Sequence, residues 1–79
     1  MNEKKILTFI KCVGYGEIKE ISEFFSMSKV EVINIVENLI RKGLLKRDEF
    51  GITFTQKAFE IENDWDVVKK IQNDKSNYF

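Results

Sequence analysis

Four cationic side chains fall within seven positions near the middle of the chain, with no acidic residue between them: Arg41, Lys42, Lys46 and Arg47. Ammonium and guanidinium groups at this density favour contact with phosphate oxygens, because each is a charged hydrogen-bond donor. A solvated basic patch is the alternative interpretation. Ser28 and Lys29 lie upstream at a predicted helix start, where free backbone N–H groups also attract phosphate. Helix capping alone is the alternative for Ser28.

The same sequence offers little for catalysis or metal binding. It has no histidine and one cysteine, Cys12. Neither the usual general base nor a metal cluster with sensible ligand spacing can therefore be assembled. We predict a chain that is not an enzyme and has no catalytic residue, metal or cofactor. A single cysteine also excludes a disulfide within the chain and points to a reducing compartment.

Length and charge restrict the class of protein further. The chain has 79 residues, of which 43% are hydrophobic, and this suits one compact domain. Its 13 Lys and Arg residues balance 13 Asp and Glu residues, so a nonspecific polyanion coat is not expected. The charge is locally uneven, because residues 29–47 are mainly basic and residues 48–66 mainly acidic.

Membrane insertion and secretion are not expected. No apolar run approaches the roughly 18 residues of a membrane-spanning helix, and the first residues, Met-Asn-Glu-Lys-Lys, do not lead into a signal-peptide core. We therefore predict a cytoplasmic protein without membrane contact.

Helical periodicity predicts three helices in the first half of the chain. Gly14 and Gly43 are suited to end the first and the third, because glycine adopts the left-handed conformation that follows many helices. Ser28 and Glu31 have the spacing of a capping box at the start of the third helix. The expected spans are 3–13, 18–25 and 28–42.

The second half predicts a hairpin followed by one long helix. Strands at 44–47 and 52–54 would be joined by a turn at 48–51, where Phe50 is expected to cover the edge of the core. Thr55 is placed to cap a helix over 56–73, in which apolar residues recur at intervals of three and four. Residues 74–79 are predicted to be a frayed tail.

Three segments carry a resemblance to a known family. Residues 20–28, Glu-Ile-Ser-Glu-Phe-Phe-Ser-Met-Ser, look like a helix-turn segment, and residues 32–45 look like a recognition helix that ends in Gly-Leu. Residues 54–58, Phe-Thr-Gln-Lys-Ala, look like the Leu-Thr-x-Lys-Gly entry into a last helix. Together they resemble the winged helix-turn-helix DNA-binding domain of small bacterial or archaeal transcription regulators, or of viral or plasmid ones, over about residues 17–61.

The resemblance implies a mainly α fold with a small β-hairpin wing and an extended C-terminal helix, in one domain over residues 1–79. Residues 1–55 would form the helix-turn-helix and wing, and residues 56–73 the last helix. Sequence-specific binding of double-stranded DNA would follow, with Asn34 and Asn38 as base-contacting residues in the major groove. A solvated polar face is the alternative for both. The residues expected at phosphates are Ser28, Lys29, Arg41, Lys42, Lys46 and Arg47.

A homodimer is expected from the length of the last helix. A helix of about 18 residues would extend beyond a small core at 1.5 Å per residue, so its distal half would need cover. Packing on the first helix of the same chain is the alternative. The expected interface consists of Phe9, Ile61, Trp65, Val68 and Ile71. No small-molecule effector is predicted.

Several residues depart from the pattern of the resembled family. Ser22, Ser26 and Ala58 stand where the family usually has Ala, Gly and Gly. The expected reading helix also carries apolar and acidic residues, among them Val30, Glu31, Ile33 and Glu37. The alternative function is therefore a winged-helix module that docks a protein partner through Val30 and Ile33 and does not bind DNA.

Overall fold

The computed structural model describes residues 2–73. The prediction of a mainly helical chain with a small antiparallel sheet is confirmed, whereas the predicted tail at 74–79 lies outside the described residues. The elements in order are α1 (Asn2–Val13), β1 (Tyr15–Gly16), α2 (Ile18–Phe25), α3 (Lys29–Arg41), β2 (Leu45–Asp48), β3 (Gly51–Phe54), a 3₁₀ helix (Gln56–Glu60) and α4 (Trp65–Asn73).

Helix α1 is the centre of the core. Its residues 6–10 are consecutive and all buried, at most 2% exposed, which a helix achieves only when it is covered on several sides. Helices α3 and α4 and strand β3 all pack against it. Ile21 of α2 and Val32 and Val36 of α3 complete the core and are fully buried. The position of every other element is therefore set relative to α1.

A tight turn joins α2 to α3. Ser26 adopts the left-handed conformation, with φ 55°, and its backbone N–H donates to the Ser22 carbonyl. The Met27 N–H donates to the same carbonyl at 3.0 Å. Helix α3 then begins after Ser28, whose hydroxyl accepts from the Glu31 N–H at 3.1 Å. The predicted cap at Ser28 is thus present, but among the described residues the Ser28 N–H makes no return bond to the Glu31 carboxylate, so the predicted capping box is only half formed. A reciprocal capping box occurs instead at the start of α2, between Glu17 and Glu20.

The sheet has three strands rather than the two predicted. Its order is β1-β3-β2, and both pairings are antiparallel. Tyr15 and Gly16, which lie between the predicted helices 3–13 and 18–25, pair with Thr53 and Ile52. A strand of two residues has no periodicity to detect. Gly16 suits the place because a Cβ there would lie 3.4 Å from side-chain atoms of Ile10 and Ile21.

The predicted long helix over 56–73 is wrong. A 3₁₀ helix ends at Glu60, and α4 begins only at Trp65, so α4 has nine residues. Contacts from α1 stabilise the non-helical segment between these two helices. Lys11 Nζ donates to the carbonyls of Ala58 (3.2 Å) and Ile61 (2.8 Å). Thr8 Oγ1 accepts from the Asp64 N–H at 2.9 Å.

The ends of these two helices are capped differently from the prediction. The Asp64 carboxylate accepts from the Asp66 N–H at 3.1 Å, so it satisfies a free donor at the start of α4. Thr55, the predicted cap, instead donates its hydroxyl to the Gly43 carbonyl at 2.6 Å.

No helix in the span from residue 2 to residue 73 is long and apolar enough to cross a membrane.

Replacing each of two glycines by alanine should distinguish the cost of backbone strain from the cost of a close contact. Gly43→Ala puts a Cβ at φ +79°, with Lys57 Cδ 3.9 Å away as its nearest neighbour. We expect it to lower the free energy of unfolding by about 1–2 kcal/mol. Gly51→Ala should cost more, because its φ of +130° is accompanied by a Cβ only 3.0 Å from the Gly16 carbonyl oxygen. Urea denaturation measures both, and equal losses would contradict the expectation.

Candidate nucleic-acid interface

One side of α3 is left uncovered by the fold. Val32, Val36 and Leu39 point into the core and are at most 1% exposed. Because successive helical residues are rotated by about 100°, the opposite side carries Asn34 at its centre, with Arg41 close beside it. Both are exposed. The structure therefore places the predicted residue Asn34 on the outward side of the helix.

An ion pair lies along the edge of α3 that faces the sheet. Arg47 Nη2 of β2 donates to Glu37 Oε1 of α3 at 2.6 Å. The two side chains remain 52% and 43% exposed, so the pair is open to water and contributes at most about 1 kcal/mol to stability. Its main effects are to join the hairpin to α3 and to neutralise an acidic residue beside the outward side.

A second cluster lies along the other edge of α3, facing α1. The Glu3 carboxylate accepts from Lys42 Nζ at 2.7 Å and from the side-chain amide of Asn38. Hydrogen bonds from Lys42 and then from Asn38 hold the pKa of Glu3 below the usual glutamate value, against a smaller opposing effect of burial. The cluster ties the start of α1 to the end of α3.

Asn38 is not placed as predicted. Its amide nitrogen is directed to Glu3, and its Oδ1 accepts a long hydrogen bond of 3.4 Å from Arg41. The residue is half-buried, unlike Asn34. A side chain whose donor and acceptor are both engaged within the protein is poorly suited to pair with a base, so the structure favours Asn34 alone as the amide of the interface.

The remaining predicted cations differ in how they are partnered. Lys42 and Arg47 make the two ion pairs just described. Lys29, Arg41 and Lys46 are exposed and form no ion pair with any other residue between 2 and 73. They lie at the start of α3, at its end and in β2. The five cations of the predicted phosphate-contacting set thus divide into three without an ion pair among the described residues and two that are held by carboxylates.

Sequence reasoning missed the two carboxylates that organise this surface. Glu3 is separated from Asn38 by 35 positions and from Lys42 by 39, and no local pattern connects residues so far apart. Glu37 was recognised only as an acidic residue on the polar side of α3. Its pairing with Arg47 depends on how the hairpin folds back onto the helix. Within the part of the chain described, no three His, Cys, Asp or Glu side chains group as metal ligands.

The five residues predicted for a dimer interface differ in burial: two are buried, two are exposed, and Val68 is half-buried. Phe9 and Ile71 are buried in the core of the single chain, 2% and 6% exposed, and Phe9 packs against the rings of Phe24 and Phe25. These two offer no surface to a second copy, which corrects the prediction. Trp65 and Ile61 are 58% and 37% exposed.

Other exposed apolar side chains were not predicted, or were predicted to be covered. Phe59, in the 3₁₀ helix, is 66% exposed and contacts the Phe54 ring edge-on. Phe50 in the hairpin turn is 69% exposed and contacts Tyr15, so it does not cover the core as expected.

Loss of the Glu3 cluster should be visible in the pH dependence of stability. The pKa of Glu3 is lowered in the folded chain. Its contribution to the free energy of unfolding is therefore present above the ordinary glutamate pKa of 4.5 and is lost as the pH falls through the pKa of the folded chain. Glu3→Gln should remove this part of the loss of stability that occurs as the pH is lowered. Urea midpoints measured between neutral and acidic pH test it, with the exposed Glu23→Gln as control. Identical pH profiles for wild type and Glu3→Gln would contradict it.

A comparison of this chain with protein-family models, with curated proteins and with solved structures found no match. The role of the interface therefore has to be understood from its own side chains and their positions.

Proposed function

We propose that this chain is a winged helix-turn-helix domain that binds double-stranded DNA sequence-specifically and regulates transcription as a homodimer. The observation that carries the proposal is the uncovered side of α3, which has the free amide of Asn34 at its centre and the exposed cation Arg41 close beside it, while the exposed Lys29 lies in the first turn of the same helix. A helix preceded by a second helix and a tight turn is the arrangement that enters the major groove in helix-turn-helix proteins. The left-handed turn at Ser26 supplies that arrangement here.

The dimensions of α3 suit the major groove. The groove is about 12 Å wide, and a helix with its side chains is about 10–12 Å across. Lys29 and Arg41 are separated by about 18 Å along the helix axis, at 1.5 Å per residue. Cations at the two ends of an inserted helix reach the phosphates that border the groove, while the residues between them face the bases.

The hairpin would add a contact beside the groove. Lys46 lies in β2, next to Arg47, which is bound to α3 through Glu37. That ion pair keeps β2 next to α3. Lys46 points to the opposite face of the strand from Arg47, so it would reach a phosphate beside the hairpin rather than one at the edge of the helix. Lys42 would have to exchange the Glu3 carboxylate for a phosphate, whereas Arg47 would remain bound to Glu37. We therefore expect their net contribution to affinity to be smaller.

A second copy is proposed to pack on α4 and the segment before it. Trp65 and Lys69 are exposed and lie four residues apart on the outward side of α4. The helix has Asp66 in its first turn and Lys70 in its last. If two copies pair antiparallel across a two-fold axis, the acidic start of one α4 lies beside the basic end of the other. Phe59 and Ile61 would extend this contact.

A protein-docking module is the second candidate function. It is favoured by apolar exposure on the same side of the molecule, because Val30 is 69% and Ile33 is 39% exposed on α3. Exposed apolar groups that cluster on a small domain commonly mark contact sites. Absence of any salt-dependent affinity for duplex DNA, even at low salt, would favour this function over the first.

Removal of single cations should distinguish phosphate contacts from other surface charges. Arg41→Ala and Lys46→Ala should each weaken binding to duplex DNA of any sequence. Each should also lower the slope of log affinity against log salt by about one. Lys42→Ala should have a smaller effect. Fluorescence polarisation over a salt series measures this, with Lys5→Ala as control, since Lys5 lies beside Asp66 and Lys70 next to α4. Equal effects of Arg41→Ala and Lys5→Ala would contradict the proposed orientation.

Replacement of one aromatic residue should test the dimer. Trp65→Ser removes a ring that is 58% exposed in the single chain, so we expect a folded monomer where the wild type is a dimer. Light scattering coupled to size exclusion gives the mass. Phe50→Ser, at an exposed ring in the hairpin turn, should leave the mass unchanged. A monomeric wild type, or a dimer that survives Trp65→Ser, would contradict this interface.

A further inference from the structure

We propose that the outward side of α3 selects three kinds of base: thymine through Val30, adenine through Asn34 and cytosine through Glu37. This inference rests on the proposed function and extends it to the composition of the DNA site. It gives a role to the apolar and acidic residues that depart from the pattern of a purely basic reading helix.

The spacing of the three residues fits successive base pairs. Positions 30, 34 and 37 are four and three residues apart, so they follow one stripe of the helix. Their separations along the axis are about 6 Å and about 4.5 Å at 1.5 Å per residue. The rise per base pair is about 3.4 Å, so each side chain reaches a different base pair, one or two steps from the next.

Asn34 has the chemistry for adenine. It is exposed, and its side chain makes no hydrogen bond with any other described residue. Both its amide donor and its carbonyl acceptor are therefore available at once. Adenine presents an N6 donor beside an N7 acceptor in the major groove, and Asn pairs with both. Asn38 differs because Glu3 already holds its amide.

Glu37 has the chemistry for cytosine. A carboxylate only accepts hydrogen bonds, and cytosine presents the N4 amino donor in the major groove, whereas guanine presents two acceptors that would repel it. Arg47 reduces the repulsion from nearby phosphates, because it donates to Glu37 Oε1 at 2.6 Å. That bond fixes the carboxylate and leaves Oε2 to accept from the base.

Val30 has the chemistry for thymine. It lies in the first turn of α3 and is 69% exposed, with no apolar group of the fold covering most of it. The C5 methyl of thymine is the apolar feature of the major-groove edges. Contact between the two removes apolar surface from water on both sides, which a polar base edge at the same place would not allow.

Selection from randomised duplex DNA tests the three assignments with the full chain. The wild type should enrich one site that contains thymine, adenine and cytosine. Glu37→Gln should lose the preference for cytosine at one position, Asn34→Ala that for adenine at another, and Val30→Ser that for thymine at a third. Each lost preference should amount to about five- to 150-fold for the hydrogen-bonded pairs.

A matched control uses the other exposed acid of the same helix. Glu31 lies on a different side of α3, about 120° from Glu37, so Glu31→Gln should keep the wild-type site. Circular dichroism melting shows that each variant is folded, as expected for exposed positions. If Glu37→Gln and Glu31→Gln enrich the same site as the wild type, the inference is wrong while DNA binding stands. If the wild type enriches no site, the proposed function itself fails.

Discussion

The burial of the inner side of α3 against α1 is the constraint on which the rest of the molecule depends. Val32, Val36 and Leu39 are almost completely buried, and the helical repeat then fixes which residues face outward. A rotation of α3 by one residue would bring Glu37 on one side, or Glu31 and Asn38 on the other, into an apolar core, at a cost of several kcal/mol for an unpaired polar group. The composition of the outward side is therefore a direct consequence of core packing.

Electrostatic contacts refine that arrangement without providing most of its stability. Glu3 and Glu37 each hold a cation at one edge of α3, and both pairs are partly exposed. Pairs of this kind contribute at most about 1 kcal/mol, so they add little to the free energy of unfolding. Their effect is positional: one joins α3 to α1, the other joins α3 to the hairpin, and the centre of the helix is left free of intramolecular partners.

The first half of the fold could be predicted because its signals are local. The spacing of apolar residues, the glycines that end helices and the cap at Ser28 gave spans close to those of α1, α2 and α3. The long last helix was wrong because tertiary contacts override a periodic pattern: Lys11 and Thr8 of α1 hold the backbone at residues 58–64 in a non-helical path. The position of Asn38 could not be foreseen for the same reason, since its partner Glu3 is distant in sequence.

The break before α4 also explains why so small a domain leaves a tryptophan exposed. Because the chain turns at residues 61–64, α4 packs on α1 through Val67 and Ile71, which are buried, and Trp65 falls on the opposite side. A straight helix would have presented one continuous apolar stripe instead. The exposed apolar surface at Trp65 therefore lies on the side of α4 that faces away from the core.

Zero net charge affects how the proposed DNA-binding surface would distinguish one DNA sequence from another. The equal numbers of acidic and basic residues provide little long-range attraction to a polyanion, and only a few unpaired cations lie around α3. Affinity for arbitrary DNA, which depends on the number of phosphates neutralised, would then be low. A larger share of the binding free energy would have to come from side chains that distinguish bases, so the few residues on the outward side of α3 would determine most of the selectivity.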